Sequence, residues 1–222
     1  MMENAISDLP NGVAERIAQR TLAKRGAGYA SEVRRLLDAA LEVMRQCGTA
    51  SRPRVADIVA AAGLSNDAFY RHFPSKDALV AALLEDGAER LTSYVAHQMD
   101  KESTPEGKIC QWVEGILSQT REEIASTTLA VLGNAGSLGE GLASDRHSAS
   151  APLAALLREP FAELGSADPA MDASLVAHAT VGKISDYLWQ RVSPTRADVD
   201  HIIEFCLRAI TPRPNSTTRE RP

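Results

Sequence analysis

The chain has 222 residues, is 44% hydrophobic, and carries 24 Lys and Arg against 29 Asp and Glu for a net charge of −5. That apolar content supports a real core and excludes global disorder. No run approaches the roughly 20 apolar residues of a membrane span, and the acidic start lacks the features of a secretory signal peptide.

Aromatics make up 5% of the chain, and the apolar residues are mostly Ala, Leu, Val and Ile, which favours helices over sheets. Cys47, Cys110 and Cys206 lie far apart with no CxxC pair, which predicts reduced thiols in a cytoplasmic protein rather than a disulfide framework. The charge is uneven. Residues 1–76 hold 11 Lys and Arg against 8 Asp and Glu, net +3, and the remainder is net −8. A basic N-terminal module that meets phosphate, joined to an acidic body that avoids it, fits this distribution.

Residues 1–28 read as a flexible basic arm with Arg16, Arg20, Lys24 and Arg25, broken from the first helix by Gly26 and Gly28. Ser31 caps that helix, which has Val33, Leu36, Leu37, Ala40, Leu41 and Met44 on one face and stops at Gly48. A second helix starts near Pro53 and buries Val55, Ile58, Val59 and Ala62. Gly63 supplies the turn, Ser65 caps a short third helix buried through Ala68, Phe69 and Phe73, and Ser75 caps a fourth, Lys76 to Met99.

Further helices carry stripes at Ile109, Trp112, Val113, Ile116 and Leu117, then at Ile124, Thr128, Val131 and Leu132. After a Gly- and Ser-rich loop at 136–150, Leu153, Leu156, Leu157, Phe161 and Leu164 mark a helix kinked at Pro160. The last two helices run from about Pro169 to Arg191 and from Thr195 to Ile210, the latter with Val199, Ile202, Ile203, Cys206 and Ile210 on one face. With no alternation of period two, the fold class is all-α, ending in a disordered tail at 212–222.

Two short helices joined at Gly63-Leu64 have the form of a helix-turn-helix, whose second helix enters a major groove about 12 Å wide. Asn66 at its start can bond an adenine edge, Tyr70 and His72 can donate to phosphate oxygens, and Arg71 adds charge. Lys76 stands in the first turn of the next helix, where free backbone N–H groups already favour an anion. The surface that needs these residues together is duplex DNA.

The stretch "VADIVAAAGLSNDAFYRHFPSKDALVAALLE" resembles the DNA-binding region of the TetR family of bacterial transcriptional regulators. The Ile58 helix, the "AAGLS" turn, the Tyr70-Arg71-His72-Phe73 run and "SKDAL" carry the resemblance, which covers about residues 31–85. It implies an N-terminal helix-turn-helix DNA-binding domain at 29–76 and a helical ligand-binding and dimerisation domain at 77–211. It further implies a homodimer on a palindromic double-stranded operator, usually as a repressor, released when a ligand among the C-terminal helices spreads the two DNA-binding modules. It assigns Tyr70, His72 and Lys76 to phosphate contacts and Ser65, Asn66, Asp67 and Ala68 to base reading. Asp67 stands where small or basic residues are frequent and could accept from cytosine N4 as a specificity residue. Arg54, with Ser51 and Arg52, takes a phosphate role. The connection "GTASRPR" departs from the usual pattern by about one extra residue and by Pro53.

Other patterns carry less. "AGSLG" at 135–139 is one substitution from a nucleophile elbow, but no parallel sheet is there to hold such a turn, so we expect no enzyme and no catalytic residues. Asp198, His201 and Glu204 stand three apart, a poor ligand set, and we expect neither metal nor cofactor. Met99, Trp112, Ile116, Thr128, Leu132, Leu156 and His178 are the candidate pocket for a small hydrophobic effector of unknown identity. Dimerisation is expected through the last two helices, setting half-sites roughly 34 Å apart. The alternative is a constitutive DNA-binding regulator without an effector.

Overall fold

The computed structural model describes residues 13–48, 52–135 and 143–210, with the backbone alone for 13–25 and 143–149. Among these residues every regular element is helical: α1 (Val13–Cys47), α2 (Val55–Ala62), α3 (Asn66–His72), α4 (Lys76–Met99), α5 (Pro105–Leu117), a 3-10 turn (Ser118–Thr120), α6 (Glu122–Ala135), α7 (Ala143–Glu163), α8 (Pro169–Gln190) and α9 (Arg196–Ala209). No helix among them is long and apolar enough to cross a membrane.

The starts follow from capping side chains. Ser65, Ser75, Thr104, Asp168 and Thr195 each accept a backbone N–H from the first turn of α3, α4, α5, α8 and α9. At Thr195 the cap is reciprocal, since Asp198 also accepts from the Thr195 backbone N–H. α2 has no such side chain: its cap is Arg54, and it begins two residues beyond the expected Pro53. Gly63 ends it at φ 61°, a left-handed conformation that closes the turn with N–H bonds to Ala60 and, from Leu64, to Val59.

Two expectations about loops are corrected. α1 runs unbroken through Gly26 and Gly28, so the arm-to-domain boundary at 28 falls inside a helix. A glycine in a helix interior costs only about 1 kcal/mol relative to alanine, which the surrounding turns of a 35-residue helix absorb. Residues 1–12 and the side chains of Arg16, Arg20, Lys24 and Arg25 lie outside the described part. The Gly- and Ser-rich segment is not a loop to residue 150, because α7 starts at Ala143 and continues with Pro152 and Pro160 inside it. Residues 136–142, which hold most of "AGSLG", and the tail from 211 lie outside the described residues.

The apolar faces collect in two clusters. One joins Leu36, Leu37, Ala40 and Met44 of α1 to Ile58 and Val59 of α2, Phe69 and Phe73 around α3, and Leu79, Val80 and Leu83 of α4. The other gathers Val95 and Met99 of α4, the whole inner face of α5, and residues of α6 to α9 such as Leu129, Leu157, Phe161, Val176, Ile184 and Cys206. α4 therefore belongs to both. So does α6, whose Leu129 lies in the second cluster and whose Ala130, Val131 and Ala135 lie in the first. This corrects the expected α6 stripe. Ile124 is exposed, and burial falls on Leu129, Ala130, Val131, Asn134 and Ala135, because the C-terminal half of the helix is wedged between both clusters.

Candidate nucleic-acid interface

α3 is seven residues long, and its inward side is set by Phe69, fully buried against Phe73 with ring centroids 5.8 Å apart. At 3.6 residues per turn, Asn66, Asp67, Tyr70 and Arg71 fall within an arc of about 140° on the opposite side. All four are exposed, Tyr70 at 58%. Ser65 and Arg54, the caps of α3 and α2, are exposed as well. Lys76 is the half-buried first residue of α4, beside the N–H groups of that helix. Six expected contact residues and Lys76 are thus accessible around α3.

Ala68 and His72 are placed differently from the other expected contact residues. Four residues apart, they lie on the side of Phe69, and Ala68 is 4% exposed and packed inward. The His72 side chain is likewise 4% exposed, and its Nε2–H donates to Glu32 Oε2 at 2.7 Å. Tyr29 meets the His72 ring edge-on at 5.0 Å between centroids. The hydrogen-bonding capacity assigned to phosphate is held inside the protein at that nitrogen.

Residues of α1 that sequence reasoning passed over organise this surface. Glu32 Oε2 also accepts from Arg71 at 2.8 Å, and the bonds from His72 and Arg71 hold the Glu32 carboxyl below its ordinary pKa. Arg35 donates to the carbonyls of Ala62 and, at 3.0 Å, Gly63, gripping the turn between α2 and α3. Arg34 pairs with Asp86 of α4 at 2.9 Å, and Asp86 also takes Arg90 at 2.8 Å. One turn of α1 is thereby tied to α2, α3 and α4. The partners lie 27 to 52 residues away in sequence, so no local spacing announces them.

Five of the seven expected pocket residues are packed in the core. Met99, Trp112 and Ile116 are buried in the second cluster, with Leu132 and Leu156 packed on it, and Trp112 Nε1–H donates to the Leu153 carbonyl at 2.9 Å. Thr128 is half-buried. His178 is exposed, with Nδ1 2.7 Å from the Ser174 carbonyl and Nε2 3.1 Å from Ser150 Oγ. An open cavity of about 460 Å³ lies elsewhere, between the 3-10 turn with α6 (Thr120, Glu122, Ala125, Ser126, Leu129) and the end of α8 (Tyr187, Leu188, Arg191, Val192, Ser193). Arg191 at its rim has φ 54°, a left-handed conformation rare for a residue with a side chain.

The trio Asp198, His201 and Glu204 is not assembled as a ligand set. Asp198 is spent on the Thr195 cap, Glu204 pairs with Arg208, and no group of three His, Cys, Asp or Glu among the described residues is placed to hold a metal.

Residues 36–83 match the model of the bacterial regulatory proteins of the tetR family. No curated protein sequence matches the chain. Among solved structures, a Mesorhizobium loti protein assigned to the TetR family of transcriptional regulators superposes with a TM-score of 0.63 at 17% identity, covering 82% of this chain and 96% of that one. A transcriptional regulator of Rhodococcus sp. RHA1 gives 0.63 at 18% identity, covering 80% and 95%. The fatty acid degradation regulator FadR of Bacillus halodurans gives 0.57 at 17%, covering 79% and 96%. Identities this low speak to fold, and the matched segment includes α2, α3 and the capped start of α4. Residues 36–83 thus resemble the N-terminal domain of the bacterial tetR-family regulators, on an all-helical, TetR-like fold.

Proposed function

We propose that the protein is a homodimeric transcriptional regulator that binds a palindromic DNA operator through α3, acts as a repressor, and is released by a small ligand. The observation that carries the DNA reading is the outer face of α3: Asn66, Asp67 and Tyr70 exposed together, Ser65 and Arg54 beside them, and Lys76 at the next helix start. Short polar side chains at a helix N-terminus suit base edges, while Tyr70, Arg54 and Lys76 suit phosphate oxygens. Exposed Met171, Leu175 and Trp189 along α8 and Phe205 on α9 support pairing of two subunits through these helices.

For the effector, the cavity beside α6 is the better candidate than the filled core. It combines apolar walls at Ala125, Leu129, Leu188 and Val192 with Arg191, Glu122 and hydroxyls. α6 carries Leu129 at the cavity and Ala130, Val131 and Ala135 in the cluster that holds α3, so a ligand displacing α6 would act on the DNA-binding helices. A constitutive regulator without effector is the second reading, favoured by the packed state of Trp112 and Ile116.

The deciding experiment is selection of sites from random duplex DNA, followed by an effector screen on the selected site. An enriched palindrome lost in a Tyr70→Ala/Lys76→Ala variant supports the regulator, and salt-sensitive binding without sequence preference argues against it. Release by a compound that Ser126→Trp prevents supports the cavity. Release that Ser126→Trp leaves intact places the effector elsewhere.

A further inference from the structure

Arg71 lies on the outer face of α3 and has the charge to reach a phosphate, yet it is turned back onto α1. Its guanidinium donates to Glu32 Oε2 at 2.8 Å and lies 5.8 Å from the centroid of the Tyr29 ring. The same carboxylate oxygen takes His72 at 2.7 Å, and Tyr29 stacks edge-on against that imidazole. One carboxylate of α1 therefore occupies both basic side chains at the C-terminal end of the recognition helix.

Magnitudes separate two accounts of this contact. The Arg71 and Glu32 side chains are 46% and 32% exposed, and pairs this accessible contribute about 0–1 kcal/mol to stability. The fold does not depend on such a pair, because Phe69 and the Ser65 cap already place α3. Its effect on DNA is larger. Each phosphate neutralised by a cation changes the slope of log K against log salt by about 0.9, whatever the sequence. A guanidinium satisfied by an internal carboxylate adds no such increment, since phosphate must first displace Glu32.

Resting on the DNA-binding reading, we infer that Glu32 is a specificity-determining residue: it holds Arg71 and His72 away from phosphate, and so limits sequence-independent attraction to DNA. Binding then depends more on Asn66, Asp67 and the other residues at the start of α3. Glu32 touches no DNA in this role and acts through Arg71.

The test uses the full chain, a short random-sequence duplex and a salt titration of affinity, with Glu32→Gln, Arg71→Gln and the double variant. Glutamine keeps the size and one acceptor oxygen, but removes the charge and replaces the other oxygen with an NH2 donor, which weakens the hold on the Arg71 guanidinium. Glu32→Gln should bind the random duplex several-fold more tightly at low salt, with a slope steeper by about 0.9, and the double variant should return to the wild-type slope. Arg71→Gln alone should leave the slope unchanged, a readout that stands even if Glu32→Gln fails to fold. A slope shallower by about 0.9 in Arg71→Gln would show Arg71 on phosphate in the wild type and overturn the proposal. So would a Glu32→Gln protein that binds random DNA no more tightly than wild type. Failure of the wild type to bind any duplex at low salt would instead bring down the DNA-binding reading, and this inference with it.

Discussion

Ala68, Phe69 and His72 share a side of α3 because residues three and four apart meet on a helix, and that side faces the core. The family pattern places His72 among the phosphate contacts, while the helical period places it beside Phe69; the structure follows the period. Cys206 makes the parallel point in the second cluster. It is fully buried, and burial pushes its thiol up to about 11. A thiol raised from 9.0 keeps its proton in the folded state while the unfolded chain releases it. Its stabilising effect is therefore complete below about pH 8.5 and is lost as pH climbs toward 11. The wild type should lose about 2 kcal/mol between pH 8 and 10.5 beyond the loss in Cys206→Ala, read from denaturant midpoints. Equal losses in the two proteins would show that Cys206 does not titrate as its burial requires.

Among the elements, α4 and α5 illustrate close approach. A Cβ built on Gly115 would sit 3.0 Å from Val95 Cγ2, with Val95 Cα at an ordinary contact distance of 3.6 Å. A methyl there crowds the β-branched Val95 side chain, which has little freedom to give. Gly115→Ala should therefore destabilise by about 1–3 kcal/mol, despite alanine's better helix propensity, and Gly115→Ala with Val95→Ala should recover part of that loss. Thermal or urea unfolding measures both. Stabilisation by Gly115→Ala would mean that α4 and α5 have room to spare. The inner face of α5 was legible from its spacing, and so were the starts of α3, α4 and α9, because each cap lies within three residues of its partner. The face of α6 was not, because a helix wedged between two clusters is buried by its neighbours rather than by its own period. The continuity of α1 was missed for a similar reason: two glycines weaken a helix locally but do not decide its ends.

At the scale of the molecule, the unpartnered apolar residues run along α8 and onto α9. Leu175 is 62% exposed and Trp189 58%, so neither contributes much within one subunit. For the proposed dimer, Leu175→Glu should leave the melting temperature of the isolated subunit nearly unchanged while shifting the protein from dimer to monomer in sedimentation, and should weaken binding to the proposed operator through loss of the second half-site. A variant that remains dimeric would move the interface off this face. The division into a DNA-binding and a C-terminal region also changes at this scale, since α4 and α6 each contribute to both clusters. A boundary at residue 76 separates motifs but does not separate cores.

What the sequence by itself determined is what short-range forces control: all-helical class, the caps of α3 and α4, the left-handed turn at Gly63 and the family resemblance of residues 36–83. Each depends on residues within a few positions of one another, where propensity, hydrogen-bonding reach and helical period act. Only the tertiary structure decided which polar groups are already spent and where space remains. Glu32 meets Arg71 and His72 across some 40 residues, and Arg35 meets Gly63 across 28. Five of the seven expected pocket residues pack in the second cluster, and a cavity opens between the start of α6 and the end of α8. Electrostatic pairing and cavity shape depend on which surfaces the packed helices bring together, and that is settled only when the whole chain closes on its two clusters.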